Sequence, residues 1–257
     1  MTIPRIYLPR PLATGDLCEA AEDQARYLDT VLRMRDGDPL IAFNGSDWEY
    51  DAVIRHTGAG ALALEITDKR PVAPDAIEIT LCQAIPKAEK MDGIIRHATE
   101  LGAGRIIPFL AERSVPRWPE AKWPQKRERW QKIALEAARQ SGRIDIPEIG
   151  GIASFTGMLE AARSGEMKLI PWEEESGLGI REVLRDPRYD GMKSIHLVIG
   201  PEGGFSRDEI DRARGAGFLS VSLGRRVLRV ETAALAVLAI LQYERGALGG
   251  TDTGRSL

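Results

Sequence analysis

From Ile77 to Glu244, short apolar runs alternate with segments of helical period. The runs "IEITLCQAI" (77–85), "RIIPFL" (105–110), "MKLIPW" (167–172), "SIHLVIG" (194–200) and "FLSVSLG" (218–224) lack the polar alternation of a half-exposed strand. Both faces of such strands must be covered. Between them, "MDGIIRHATELGA" (91–103) sets Ile94, Ile95, Ala98 and Leu101 on one helical face, and "WPQKRERWQKIALEAARQSG" (123–142) reads as a long helix. A last helix, "ETAALAVLAILQYE" (231–244), is apolar on nearly every side and is expected to be buried. The rhythm predicts an α/β domain with a parallel sheet covered by helices.

The first seventy residues differ. "RIYL", a helix-like "CEAAEDQARYLDTVLRM" (18–34), "DPLIAFNG" (38–45), "WEYDAVIRH" (48–56) and "ALALEIT" (61–67) are separated by turn pairs such as Asp36-Gly37 and Asn44-Gly45. This predicts a small, mostly β barrel over residues 1–70, a polar linker from Asp68 to Pro74, and the α/β domain over 74–246.

Composition excludes several classes. Net charge is -3, so no overall basic excess marks a nucleic-acid binder. Cys18 and Cys82 belong to no C-x-x-C pair, and His56, His97 and His196 share no ligand spacing, so no metal site is expected. These residues read as packing or surface positions. No signal-peptide core and no apolar run of about 18 residues occurs, which predicts a cytoplasmic protein without a membrane partner.

Ligands of open parallel sheets sit at the carboxyl ends of the strands. The candidate loops are Pro171–Glu175, the stretch opening "GPEGG", and Gly224–Arg229. None carries a dinucleotide fingerprint or a P-loop, so a nucleoside-like ligand without a polyphosphate fits best. In "IGPEGGFS" the glycines admit close backbone approach, and Pro201 stiffens the loop. "SRDE" (206–209) is a capping box, which makes Ser206 structural. Glu202 is either a carboxylate held by backbone donors or a wall of the site. Arg225, Arg226 and Arg229 fall within five residues and suit a phosphate or a nucleobase. From Arg113 to Arg143 nine Lys or Arg face three Glu, with Trp118, Trp123 and Trp130 interleaved, a local footprint for nucleic acid.

"LVIGPEGGFSRDEI" followed by "SLGRRVLRVETAALAVLAIL" closely resembles the paired signature of the RsmE family, the 16S ribosomal RNA (uracil-N3)-methyltransferases of the SPOUT superfamily. Further likeness runs through "KAEKMDGIIRHATELGAGRIIPF" and "EAARQSGRIDIP". The resemblance implies a PUA-like RNA-binding barrel, then an α/β domain whose C-terminal segment forms a trefoil knot. It also implies a homodimer through the knot region and 16S rRNA of the small ribosomal subunit as partner. S-adenosylmethionine would be held by Leu169, Ile170, Pro171 and Trp172, by Ile199, Gly200, Pro201, Glu202, Gly203 and Gly204, and by Leu223, Gly224, Val227, Leu228 and Arg229. Arg229 and Glu202 are the expected catalytic residues, Arg229 facing the uracil oxygens that gain charge as N3 loses its proton. Glu202, Glu231 and water are all admissible acceptors of that proton. RNA contacts are expected at Arg5, Arg10, Lys87, Lys90, Arg113, Arg143, Arg225 and Arg226. Arg225 stands where the family usually has proline, Val230 where threonine is common, His97 where lysine is usual and Tyr27 where histidine is frequent. Ribose 2'-O methylation and a non-catalytic ribosome-assembly role are the alternatives.

Overall fold

The computed structural model describes residues 3–57, 61–115, 119–162, 167–246 and 248–249. Its backbone divides into two units, Met1–Pro74 with Ala138–Ile146, and Asp75–Ala137 with Pro147–Leu257.

In the first unit, β-branched and aromatic runs form β1 (Arg5–Tyr7), β2 (Leu17–Glu19), β3 (Pro39–Phe43), β4 (Trp48–Thr57) and β5 (Ala61–Pro71). They build one five-stranded sheet in the order β1-β3-β4-β5-β2. Gly45 takes φ +82° at the β3–β4 turn, a conformation that side chains with a Cβ rarely adopt. Ile6, Leu28, Leu40, Ile54, Leu64 and Ile66, each at most 2 % exposed, form the centre of its core.

Two expectations are corrected here. The helix expected over 18–34 begins at Glu22, as α1 (Glu22–Arg26) followed by a π-helical turn (Tyr27–Val31). Cys18 instead lies in β2, paired with Leu64 and buried, because the sheet edge offers ladder bonds that override local helical pattern. Asp68, Lys69 and Arg70 are not linker but continue β5, where Arg70 ion-pairs with Glu49 and Asp51 on β4.

The second unit contains β6 (Glu78–Ala84), α2 (Lys90–Glu100), β7 (Ala103–Leu110), α3 (Trp123–Ser141), β8 (Glu148–Ile149), β9 (Ala153–Ser154), α4 (Phe155–Glu160), β10 (Met167–Pro171), α5 (Ile180–Leu184), β11 (Ser194–Ile199), α6 (Arg207–Gly215), β12 (Leu219–Val221) and α7 (Val230–Arg245). Its strands pair in parallel in the order β12-β10-β11-β6-β7-β8, with β9 on β7. The chain runs outward from β6 to β8, crosses to β10, returns to insert β11 against β6, and ends outside β10 with β12. The loops that leave β12, β10 and β11 are therefore neighbours, although the chain makes them far apart in sequence.

His196 is 1 % exposed, with Nε2 2.9 Å from the Cys82 sulfur, and lies edge-on to Phe218. Burial first, then Lys168 and Arg105, lowers its pKa to about 4, so it packs as a neutral imidazole. Among the described residues no group of three potential ligands could hold a metal ion, and no helix is long and apolar enough to cross a membrane. Helix α7 departs from expectation: Ala234, Val237, Leu238 and Leu241 are buried, but Ile240 is 37 % and Tyr243 70 % exposed. One chain offers partners for a single face of this helix.

A candidate cofactor cavity at the strand ends

Three loops converge on a cavity of about 460 Å³ at the carboxyl ends of β10, β11 and β12. After β10, the Trp172 backbone N–H donates to the Val221 carbonyl at 3.0 Å, and Glu175 accepts from Gly177 N–H at 2.8 Å and from Arg214 at 2.9 Å. The Ser220 hydroxyl also donates to Glu175; that bond first, then the Gly177 N–H, holds its carboxyl below the usual range. The indole N–H of Trp172, a cavity-lining residue, is buried without a hydrogen-bond partner among the described residues. An unpaired donor of this kind costs about 1–3 kcal/mol.

The second loop turns tightly. Gly204 donates to the Pro201 carbonyl at 2.9 Å and has φ +67°. A Cβ on Gly200 would lie 2.9 Å from the Phe205 ring, which is itself buried and 6.1 Å from Phe155. Beyond it Ser206 caps α6: its N–H donates to Glu209 Oε2 at 3.0 Å, and its hydroxyl donates to Glu112 at 2.7 Å. Ser206 is structural, in agreement with the capping box.

Glu202 is held by its neighbours. Its carboxylate accepts from the Lys87 backbone N–H at 3.1 Å and from Lys90 Nζ at 3.1 Å. Lys90 also lies 3.3 Å from Glu231 Oε2, an ion-pair contact off the line of a hydrogen bond. Partial burial raises the Glu202 pKa, but its own backbone N–H, Lys90 and the Lys87 N–H outweigh that and leave it below the usual range. Lys90 is raised, chiefly by its bond to Glu202. With the Glu202 pKa depressed, its stabilisation is present above the unfolded value near 4.3 and is lost as pH falls through the folded value. With the Lys90 pKa raised, its share is complete below the unfolded value near 10.4 and is lost as pH rises through the folded one. The pair is therefore fully ionised across neutral pH. Glu202→Gln should weaken cofactor affinity about tenfold, the scale of one lost charged hydrogen bond, and leave the shape of the pH–rate profile between pH 6 and 9 unchanged. An inflection lost from that profile would instead make Glu202 the proton acceptor.

The third loop carries Arg225, Arg226 and Arg229, all exposed and without a partner among the described residues. Arg229 occupies the N-cap position of α7 in extended conformation.

Of the expected cofactor residues, Pro171, Trp172, Ile199, Gly200, Pro201, Glu202, Gly204, Leu223, Gly224, Val227, Leu228 and Arg229 line the cavity. Leu169 and Ile170 do not: both are fully buried in β10, between β11 and β12. Gly203 also lies off the wall, its carbonyl accepting from Arg113 at 3.0 Å. Glu173 lies in the expected first loop, while Phe205, Ser222, Val230 and Ala233 line the cavity without having been expected; "GGF" offered a signal for Phe205, which follows the glycines directly.

The expected RNA contacts separate as well. Arg5 and Arg143 are engaged within the first unit: Arg5 pairs with Glu49 and donates to the Arg143 carbonyl at 3.1 Å, Arg143 pairs with Asp145, and their side chains are 10 % and 11 % exposed. Their charge is neutralised internally. Arg113 serves the second loop and Lys90 the carboxylates, while Lys87 enters through its backbone. Within the basic stretch, Arg117 and Trp118 lie outside the described residues, Trp130 is a core residue at 1 % exposure, and Arg129 and Lys132 are paired with Asp92 and Glu128.

A cavity of this size, with a tight glycine turn and apolar walls at Leu223, Leu228 and Ala233, suits a nucleoside-bearing ligand lacking a polyphosphate. Comparison with known proteins agrees. A family model described as an RNA methyltransferase domain matches residues 73–242, and one described as an RNA methyltransferase PUA domain matches residues 21–67. The Bacillus subtilis protein named ribosomal RNA small subunit methyltransferase E is 32 % identical over 89 % of this chain and 90 % of its own length. The chain belongs to the ribosomal RNA small subunit methyltransferase E family. A family member from Neisseria gonorrhoeae, solved bound to S-adenosyl methionine, superposes with a TM-score of 0.86 at 30 % identity, covering 95 % of this chain and 99 % of that one. A Legionella pneumophila structure in complex with the bound cofactor SAM gives the same TM-score at 34 % identity, over 96 % and 100 % of the two chains.

Proposed function

We propose that this protein transfers a methyl group from S-adenosylmethionine to N3 of a uridine in 16S rRNA of the small ribosomal subunit, in the cytoplasm. The observation that carries the reading is the unpartnered Arg229 on the wall of the glycine-turned cavity. When bound, the cofactor supplies a methyl carbon made electrophilic by its sulfonium. Arg229 donates to a uracil carbonyl oxygen, where negative charge grows as N3 loses its proton. Glu202, held as a carboxylate by Lys87 and Lys90, fixes the second loop against α2 and is a positioning residue. The test is mass spectrometry of nucleosides from small-subunit RNA of cells lacking the protein. N3-methyluridine should be absent and return when protein and S-adenosylmethionine are added; loss of a 2'-O-methyl nucleoside in its place would overturn the assignment.

Arg225 and Arg226, exposed and unpaired, are placed to contact phosphates. Replacing either with alanine should weaken RNA binding on all sequences and reduce the slope of log affinity against log salt by about one. Affinity titrations at several salt concentrations measure this, and an unchanged slope would move the contact elsewhere.

The half-covered face of α7, with Ala236, Ala239, Ile240 and Tyr243, supports a homodimer in which a second copy buries it. Sedimentation of Tyr243→Glu should then show a smaller species than the parent protein. The return of β11 between β6 and β10 supports a trefoil knot in the C-terminal segment.

A further inference from the structure

Behind the second loop stands a turn, Ala111 to Ser114, none of whose residues lines the cavity. It follows β7 and closes on itself: the Ser114 hydroxyl accepts from the Ala111 N–H, and the Ser114 N–H donates to the Ala111 carbonyl, both at 3.1 Å. Ala111 and Ser114 are each 7 % exposed, so the ends of the turn are anchored. Side chains then tie it to residues 203–209. Glu209 is 2 % exposed and commits both carboxylate oxygens, Oε1 accepting from the Glu112 N–H at 2.8 Å and Oε2 from the Ser206 N–H at 3.0 Å. A carboxylate this buried is tolerable only when bonded in this way. The Ser206 hydroxyl donates to Glu112 at 2.7 Å, and the Arg113 guanidinium donates to the Gly203 carbonyl at 3.0 Å.

The bond from Arg113 acts on the cavity wall itself. The Gly203 carbonyl and the Gly204 N–H belong to one planar peptide and point opposite ways. Its N–H end donates to the Pro201 carbonyl at 2.9 Å, and its carbonyl end is held by Arg113 at 3.0 Å. Gly204 lines the cavity at φ +67°. Two successive glycines carry no side chain to restrain that peptide, so its plane depends on the two bonds. The backbones also lie close: a Cβ on Gly203 would stand 3.1 Å from Arg113 Cβ and 3.6 Å from the Arg113 carbonyl oxygen.

We propose that Arg113 is a positioning residue for methyl transfer, holding the Gly203–Gly204 peptide in the plane that S-adenosylmethionine binding requires. Its guanidinium serves that carbonyl and no RNA phosphate, in place of the RNA contact expected of it from the sequence. This rests on the RNA-methylating reading and adds to it a support for the cofactor wall from outside the three loops.

The test compares the full-length protein with Arg113→Ala and Arg113→Lys. Arg113 is exposed, so both variants fold, and a thermal melt verifies it. By calorimetry Arg113→Ala should bind S-adenosylmethionine about fivefold more weakly, the scale of one hydrogen bond at an exposed site. Arg113→Lys should recover most of that loss, because an ammonium can donate to the same carbonyl. In steady-state kinetics the KM for S-adenosylmethionine should rise with the Kd, while kcat at saturation stays within about twofold of the parent. A general loosening of the fold would instead lower kcat and the melting temperature together, with no rescue by lysine. Anisotropy titrations of a short oligouridylate at several salt concentrations should give Arg113→Ala the parent's slope of log affinity against log salt. Unchanged S-adenosylmethionine affinity in Arg113→Ala would overturn the proposal. So would a salt slope reduced by about one, the mark of a lost phosphate contact. A parent protein that does not bind S-adenosylmethionine condemns the functional reading, whereas a parent that binds it no better than Arg113→Ala condemns the positioning role alone.

Discussion

Arg229→Ala lowers kcat for RNA methylation about 10²–10³-fold, the cost of removing one donor from a developing oxyanion, and this loss exceeds the loss of S-adenosylmethionine affinity. The expectation follows from its surroundings. The Arg229 guanidinium is exposed at the cavity wall and bonds to no described residue, so it has no packing or pairing role to lose. Its backbone, at the N-cap of α7, is held by the helix that follows, which fixes where the side chain starts at the cavity wall. Arg229→Lys should recover part of the rate, because an ammonium restores charge without the planar fork. Single-turnover rates with saturating cofactor measure this directly. A rate within about threefold of the parent would remove Arg229 from the chemistry, since one hydrogen bond to a charged group exceeds that effect.

Gly200→Val abolishes measurable cofactor binding. The Cβ alone would stand 2.9 Å from Phe205 Cε2 and 3.2 Å from two further ring atoms. Phe205 is 3 % exposed and tilted against Phe155, which in turn lies 6.1 Å from Phe109, so the ring has no free volume to enter. Relief must come from the loop that walls the cavity. Overpacking of this kind costs about 1–3 kcal/mol in stability, so the protein should melt lower yet remain folded. Calorimetry with S-adenosylmethionine, beside a thermal melt, separates the two effects. Retained affinity would show that the second loop does not touch the cofactor. Gly204 is a weaker test of contact: its Cβ would meet the flexible end of Glu173, and its cost lies mainly in φ +67°.

The α/β rhythm, the turn at Asn44-Gly45 and the Ser206 cap were all readable from residue order, because each depends on contacts a few residues away. So was the choice of loops, since parallel strands expose their carboxyl ends to ligands whatever their order. The helix misread at Cys18 and the linker misread at Asp68 share one cause. Both segments add to sheet edges whose partners, Leu64 and Asp51, are distant in sequence.

Charge was the least legible property. Arg5, Arg113, Arg143 and Arg229 are alike as letters. Yet Arg5 and Arg143 neutralise carboxylates, Arg113 holds the Gly203 carbonyl, and the Arg229 side chain has no partner among the described residues. What the residue order alone determined was the sheet, its covering helices and the glycine turn, through local periodicity and backbone freedom. What tertiary structure decided was which arginines are paired among the described residues, and that Glu202 is bound by Lys87 and Lys90. Pairing depends on distances between strand ends and loops, and those are set by the order in which β12, β10, β11 and β6 lie side by side.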